Sequence, residues 1–304
     1  MKVSIIGCGH VGSTLAYAVT QAGYASELVL VNRSMDRAEG EAEDLRHAVS
    51  LMSHKTKVSA GGLKETADSD AIAFSASIPM PRDMKSRNIL AEGNAEVLQQ
   101  WIRPLAESSP NAVFVMITNP VEVMTQLAWK LSGLPHRQFL GTGTIVDSAR
   151  WRSMLSDYLG VHPDDIRAYI LGEHGETQFP ALSVSATGGK KMDRDPRIKE
   201  LFREAAVGGL TVYKKKGYTN FAVAQAASLI IQTILADERR SMPASTLVSN
   251  YYGVDDVFLS VPVVVGRGGA LRTLKPELDE QEQQMLQRSA ETVRRVYDSL
   301  NVEL

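Results

Sequence analysis

Short apolar runs and longer amphipathic stretches alternate along the first half of the chain. The apolar runs show no hydrophobic–polar alternation, and they are the predicted strands: residues 2–6, 27–31, 70–77, 112–118 and 138–142. The stretches between them have helical spacing, and they are the predicted helices: 11–23, 38–52, 87–108 and 121–132. Strands without alternation are buried on both faces. The pattern therefore predicts an α/β fold with a doubly wound parallel sheet.

The pattern changes after about residue 145. The segments that follow are two short strands, a long interrupted helical region, antiparallel strands and a charged helix: 166–172, 181–189, 194–236, 247–266 and 276–300. Strands and helices segregated in this way are typical of an α+β arrangement. We therefore expect two domains, over residues 1–143 and 144–304.

Composition narrows the class of protein. The chain has 304 residues, 44% of them hydrophobic, so it can bury a substantial core. A net charge of −2 excludes a generally basic surface, and no nucleic-acid partner is expected. No apolar stretch approaches the roughly 20 residues that span a bilayer, so no membrane partner is expected. The single cysteine, Cys8, excludes an intramolecular disulfide and a cysteine-based zinc site. We expect a cytoplasmic protein without a metal.

A glycine motif, GCGHVG, lies at residues 7–12 directly after the first strand. Gly7 permits a tight turn, Gly9 lets the backbone approach a pyrophosphate, and Gly12 lets helix and strand pack closely. The N-terminus of the following helix then faces the phosphates. Because the motif joins a strand to a helix within a βαβ pattern, it predicts dinucleotide binding and an N-terminal Rossmann-type domain.

The end of the second strand bears on the choice of dinucleotide. An acidic residue about twenty positions after the glycine motif would bond the ribose hydroxyls, but this chain has Asn32 there, followed by Arg33 and Ser34. Asparagine removes the repulsion of a 2′-phosphate, and the next two residues supply partners for one. In the alternative reading, Asn32 bonds the 2′-hydroxyl and Arg33 points into water. The residues alone favour NADP slightly.

Two later segments contain candidate catalytic residues. His174 lies between two glycines after a strand, and Asp147 and Arg150 lie three apart on a predicted helix. A carboxylate bonded to one imidazole nitrogen fixes the tautomer and stabilises the imidazolium. An arginine can bind a substrate carboxylate through two hydrogen bonds. An ordinary helical ion pair is the alternative for Asp147 and Arg150.

Five motifs resemble the L-lactate/malate dehydrogenase family, in the family's order and over almost the whole chain. They are GCGHVG, MITNPVEVMT at 116–125, GTGTIVDSAR at 141–150, LGVHPDDIRAYILGEHGET at 159–177 and KGYTNFA at 216–222. The resemblance implies an enzyme that transfers hydride between a nicotinamide cofactor and an L-2-hydroxy acid or 2-oxo acid.

The resemblance also implies roles for individual residues. His174 matches the catalytic acid/base, and Asp147 matches its carboxylate partner. Arg150 matches the arginine that binds the substrate carboxylate. Asn119 matches an asparagine near the substrate hydroxyl and the nicotinamide. Arg87 matches the lid arginine that polarises the substrate carbonyl.

The lid is the segment that departs from the family. SASIPMPRDMKSR, at 75–87, has no glycine, and either Met80 or Pro81 occupies the specificity position. Arg82 next to it would pair with a second carboxylate in a malate-type enzyme, whereas Met80 would favour a longer or branched 2-oxo acid. Thr219, in KGYT, matches a threonine that lines the pocket. Because GTGTIVD resembles the lactate branch more, an L-lactate dehydrogenase-like enzyme, or one for another monocarboxylic 2-hydroxy acid, is the first expectation, ahead of a malate enzyme.

Three further expectations follow from the resemblance. Most of the family uses NAD, so the cofactor is NAD or NADP at near-even odds. The charged helix at 38–52 matches a dimer-forming helix, which implies a homodimer or homotetramer. A non-catalytic dinucleotide-binding sensor is the alternative of a different class, and the presence of all four candidate catalytic and carboxylate-binding side chains argues against it.

Overall fold

The fold is that of a computed structural model, which describes residues 1–79, 87–192 and 195–302, and at 87 and 88 the backbone alone. The strands in these residues are β1 Lys2–Ile6, β2 Glu27–Val31, β3 Lys57–Ala60, β4 Ala71–Phe74, β5 Val113–Met116, β6 Phe139–Gly141, β7 Ile166–Arg167, β8 Ile170–Leu171, β9 Phe179–Pro180, β10 Ala186–Thr187, β11 Lys190–Lys191, β12 Arg240–Val248, β13 Val257–Gly266 and β14 Gly269–Thr273. The α-helices are α1 His10–Ala22, α2 Met35–Val49, α3 Ala91–Ser108, α4 Val121–Ser132, α5 Ile145–Leu159, α6 Pro196–Lys216, α7 Phe221–Ala236 and α8 Glu280–Asp298.

Six parallel strands form the centre of the molecule, in the order β3-β2-β1-β4-β5-β6. This is the strand order of a Rossmann fold, in which the order reverses between β1 and β4 and ligands bind outside the carboxyl ends of the strands. The predicted Rossmann-type α/β fold is confirmed. Strand β3 was not predicted from the sequence; it is a short edge strand in which only Val58 is buried.

The antiparallel strands of the second half do not form a separate sheet. Strand β12 pairs with β6 at Ser245 and Gly141, and β13 and β14 follow, so one nine-stranded sheet runs through both halves. A Cβ on Gly141 would lie 2.8 Å from the Ser245 Cβ, so the glycine permits the two strands to meet. The predicted antiparallel strands are confirmed by β12 and β13, and their attachment to β6 was not predicted from the sequence. The predicted strand at 166–172 is likewise two strands, β7 and β8, each of two residues.

Helices cover both faces of the parallel strands, which explains their unalternated apolar sequence. On one face α3 and α4 pack on the sheet, where Phe114 and Phe139 stack with ring centroids 4.8 Å apart. On the other face α1 and α7 supply Leu15 and Ile230, both fully buried. This packing fixes the loops at the carboxyl ends of the strands, where the candidate site residues lie. Among the helices that the structure describes, none is both long and apolar enough to cross a membrane.

Candidate functional site

His174 and Asp147 form a hydrogen-bonded pair, as the sequence predicts. Asp147 lies in the first turn of α5 with its side chain 1% exposed, and His174 lies in the turn after β8 with its side chain 11% exposed. The ring Nδ1 bonds to Asp147 Oδ2. Because an ionised carboxylate only accepts, the bond places a proton on Nδ1 and leaves Nε2 to exchange a proton elsewhere. This arrangement is suited to a general acid/base.

Arg150 joins the pair from one turn further along α5. Its Nη1 donates to Asp147 Oδ1 at 2.8 Å, and its side chain is 19% exposed. The Arg150 side chain passes over α6 at Gly208, where an added Cβ would lie 3.2 Å from the Arg150 Cδ. A guanidinium has five N–H donors, so the bond to Asp147 uses one of them. The other donors can bind a carboxylate through two hydrogen bonds.

Asn119 follows β5, and its side chain has a buried hydrogen-bond acceptor without a donor. Its side-chain Oδ1 has no hydrogen-bond partner among the described residues, and its backbone carbonyl accepts from Asn94 Nδ2 at 2.7 Å. A buried acceptor left without a donor costs about 1–3 kcal/mol. A bound group that donates a hydrogen bond at this point would remove that cost.

The glycine motif connects β1 to α1. Gly7 has φ +101°, and a Cβ there would lie 2.6 Å from the backbone of Ala76. A Cβ on Gly12 would lie 1.8 Å from the carbonyl oxygen of Gly7, so the helix start and the turn are in close contact. Apart from Gly9 itself and its two neighbours in the chain, no heavy atom of the described residues lies within 4 Å of a Cβ built on Gly9, the N-cap of α1. The backbone is thus open to a ligand at the residue where a pyrophosphate is expected.

The loop with Thr219 lies against the glycine motif. It connects α6 to α7, and Thr219 in it is half-buried. The adjacent ring of Tyr218 stacks on the ring of His10 with centroids 3.8 Å apart. Asn220 Nδ2 also donates to Thr14 Oγ1 in α1 at 2.8 Å. These contacts bring the predicted pocket threonine and the predicted cofactor loop to one region.

Asn32, Arg33 and Ser34 form the connection from β2 to α2. Arg33 and Ser34 are exposed, and Asn32 is half-buried with its Nδ2 donating to the Ser34 carbonyl at 3.4 Å. Ser34 is the N-cap of α2, where its Oγ accepts from the Arg37 N–H at 3.4 Å. The start of α2 therefore presents helix-end N–H groups and two arginines, together with Asp36, to the end of the parallel sheet.

Family models cover both halves of the chain. The model described as the lactate/malate dehydrogenase NAD-binding domain matches residues 1–141, and the model of the α/β C-terminal domain matches 144–301. The L-lactate dehydrogenase of Synechococcus sp. is 37% identical, over 99% of each chain, and that of Priestia megaterium is 33% identical, over 98% of this chain and 96% of the relative.

The chain belongs to the lactate/malate dehydrogenase family. A crystal structure of the minor L-lactate dehydrogenase from Enterococcus mundtii superposes with a TM-score of 0.94 and 30% identity, over 99% of each chain. The predicted oxidoreductase of the lactate dehydrogenase branch is confirmed, and the N-terminal half is of the NAD-binding type. The domain boundary between residues 143 and 144 stays a prediction.

A nicotinamide dinucleotide fits the residues of this dehydrogenase fold. The open backbone at Gly9 and the helix start behind it suit the pyrophosphate. The unpartnered Asn119 Oδ1, at the end of β5, can accept from a carboxamide or a substrate hydroxyl. In the part of the chain that the structure describes, no group of three metal-ligating side chains occurs.

The lid of this family member is only partly described. Residues 80–86, which include Met80, Pro81 and Arg82, lie outside the described residues. The backbone of residue 87 begins a 3-10 helix, Arg87–Leu90, and the placement of the Arg87 side chain is outside the described part as well. The predicted roles of Arg82 and Arg87 therefore stay predictions.

Sequence reasoning missed two buried residues near the dehydrogenase site. Asn94 Oδ1 accepts from the Ile78 N–H at 2.8 Å, so Asn94 ties the start of the lid segment to Asn119. Glu122, in the first turn of α4, is 1% exposed. Burial, and to a smaller degree the charge of Glu173, raise the pKa of its carboxyl to about 8, against the hydrogen bond from Ser260 that lowers it. The available signal was an acidic residue inside an apolar helical turn, VEVM.

Proposed function

We propose that this chain catalyses the reversible reduction of a monocarboxylic 2-oxo acid, pyruvate, to the L-2-hydroxy acid with NADH. The observation that carries the proposal is the cluster of His174, Asp147 and Arg150, with an acid/base nitrogen and a carboxylate-binding group side by side. Relatives named L-lactate dehydrogenase, matched over nearly their full length, support the same substrate class.

Each residue of the cluster has one task in this reaction. Arg150 binds the substrate carboxylate and thereby orients the carbonyl. The nicotinamide, when bound, supplies the hydride to the carbonyl carbon. Protonated His174 gives the proton on Nε2 to the carbonyl oxygen, and Asp147 holds the ring and stabilises its charged form. In the oxidation direction, neutral His174 takes the proton from the hydroxyl group.

Three other residues complete the proposed site. Asn119 accepts from the nicotinamide carboxamide or the substrate hydroxyl, and Thr219 lines the substrate pocket. Arg87 stabilises the negative charge that develops on the carbonyl oxygen, as the family resemblance implies. Arg82 would add a partner for a second carboxylate, which a monocarboxylic substrate does not use.

The substrate is tested by comparing pyruvate, oxaloacetate and 2-oxobutyrate with NADH. We expect kcat/KM for pyruvate to exceed that for oxaloacetate by at least about tenfold if Arg82 does not pair with the substrate, because a second carboxylate is then costly to desolvate. A preference for oxaloacetate would assign Arg82 to a second carboxylate and make the chain a malate-type enzyme. NADH binding without turnover of any 2-oxo acid would favour the non-catalytic sensor.

For the cofactor, we propose NAD with weak discrimination against NADP. The NAD-binding family supports NAD, whereas Asn32 offers no negative charge against a 2′-phosphate. Arg33 and the N-terminus of α2 favour an anion at this point, and Asp36 in the first turn of α2 opposes it. Gly7, Gly9 and Gly12 shape the loop that holds the pyrophosphate.

The cofactor proposal is tested by fluorescence titration with NADH and NADPH at fixed salt. We expect the two dissociation constants of the natural protein to lie within about tenfold of each other. Asn32→Asp should weaken NADPH binding by about tenfold or more and leave NADH binding within about twofold, because a carboxylate next to a phosphate is repelled. Equal weakening of both cofactors would mean that Asn32 does not face the 2′ position.

Assembly and compartment are the remaining proposals. We propose a homodimer or homotetramer, supported by the exposed apolar side chains of Val207 and Phe221 on α6 and α7 and of Leu51 just after α2. The cytoplasmic location rests on the single, buried thiol of Cys8. Light scattering of the purified protein measures the mass of the assembly.

A further inference from the structure

Glu122 lies behind the catalytic pair and has no task in the proposed reaction. It occupies the first turn of α4, three residues after Asn119, and its side chain is 1% exposed. A carboxyl is rarely buried to this degree without a specific set of hydrogen-bond donors. The donors around Glu122 therefore show what the group holds in place.

On one side the carboxyl reaches the start of α5. Ser260, on β13, donates its hydroxyl hydrogen to Glu122 Oε1 at 2.8 Å. The same Ser260 Oγ accepts from the Thr144 N–H at 3.1 Å. Thr144 is the N-cap of α5, the helix that carries Asp147 and Arg150. A chain of two hydrogen bonds thus joins Glu122 to the element that positions the carboxylate partner of His174.

On the other side the carboxyl reaches the histidine turn. The backbone of Ser260 forms two hydrogen bonds with the backbone of Gly172, at 2.9 and 3.0 Å. Gly172 lies two residues before His174, so Ser260 links the Glu122 carboxyl to the histidine turn as well. Glu122 and Ser260 together therefore contact both segments whose relative position sets the bond between His174 and Asp147.

We propose that Glu122 is a positioning residue for the hydride-transfer reaction, which fixes the histidine turn against the start of α5 so that His174 Nδ1 stays on Asp147. The proposal rests on the proposed function of the His174–Asp147 pair. A carboxyl suits the task because Oε1 accepts from Ser260, which in turn bonds to both segments. Misplacement of a catalytic group by about 1 Å costs on the order of 10²-fold in rate.

The test compares Glu122→Ala with Glu122→Gln and with a matched control, Gln126→Ala. Gln126 lies one turn further along α4 and is 5% exposed. Its side chain accepts from the Phe258 N–H at 3.1 Å, and Phe258 lies on β13, the strand that carries Ser260. We expect Glu122→Ala to lower kcat with pyruvate by about 10²-fold, with KM and NADH affinity within about threefold. Glu122→Gln should recover kcat to within about tenfold of the natural protein, since the amide keeps one acceptor and the same shape. Gln126→Ala should keep kcat within about threefold.

A readout independent of turnover separates this proposal from the proposed function. The Nδ1-bound proton of His174, observed by NMR in the complete protein, should lose or shift its signal in Glu122→Ala and not in Gln126→Ala. Equal losses of kcat in the two alanine variants, or an unchanged histidine signal, would reduce Glu122 to a packing role. A shifted signal in a protein without turnover would keep the positioning and overturn the reaction. If Glu122→Ala does not fold, the test rests on Glu122→Gln. A loss of kcat of about 10²-fold in Glu122→Gln would then contradict the proposal.

Discussion

Replacing His174 with asparagine is expected to lower kcat for pyruvate reduction by about 10³-fold. Asparagine keeps a polar side chain of similar size that can bond to Asp147, but it has no group that takes up and releases a proton near neutral pH. Proton transfer by a positioned side chain contributes on the order of 10²–10⁴-fold. The measurement is steady-state kcat and KM with NADH, together with NADH affinity by fluorescence. NADH affinity should stay within about threefold, because the glycine loop is unaltered.

A second histidine serves as the control for this variant. His162 has a side chain that is 71% exposed, and it lies in the connection between α5 and β7. His162→Asn should keep kcat within about twofold of the natural protein. If His174→Asn retained more than a tenth of the natural kcat while His162→Asn behaved as expected, another group would have to be the acid/base.

The parallel half of the fold was predictable because each strand is a short apolar run buried on both faces. Residues 2–6 and 27–31 were predicted with the bounds that β1 and β2 have. The strand predicted at 70–77 ends at Phe74, because Ser75 and Ser77 turn to bond Gly7 and Asn94. Those contacts join residues 17 to 68 positions apart, which no local pattern records. Strand β3 has one buried side chain and therefore gave no apolar signal.

The candidate site likewise contains residues that the sequence predicted and a residue that it did not. His174, Asp147 and Arg150 came from motifs, and the structure brings all three together. Glu122 was inside a quoted motif but received no role, because its partner Ser260 lies 138 residues away. Ser260 lies on β13, and β13 reaches Glu122 only because its neighbour β12 pairs with β6. The hydrophobic pattern within β12 and β13 does not specify that pairing.

Replacing Arg150 with lysine is expected to lower kcat/KM for pyruvate by about 10²–10³-fold, mostly through KM. Lysine keeps the charge, but it loses the planar fork that can bind a carboxylate through two hydrogen bonds while Nη1 bonds to Asp147. Breaking one partner of a desolvated charge pair costs about 2–5 kcal/mol, and each 1.4 kcal/mol is about tenfold. The measurement is the pyruvate dependence of the rate at saturating NADH.

An exposed arginine serves as the control for the Arg150 variant. Arg103 lies exposed on α3, and Arg103→Lys should leave KM within about twofold. The Arg150 side chain is largely buried beside Asp147. Water therefore cannot take over its hydrogen bonds, as it can for a charged side chain at the surface. An Arg150→Lys protein with unchanged KM and a lowered kcat would mean that Arg150 supports Asp147 alone. The substrate carboxylate would then bind to another cation, and among the predicted residues Arg82 would become the candidate.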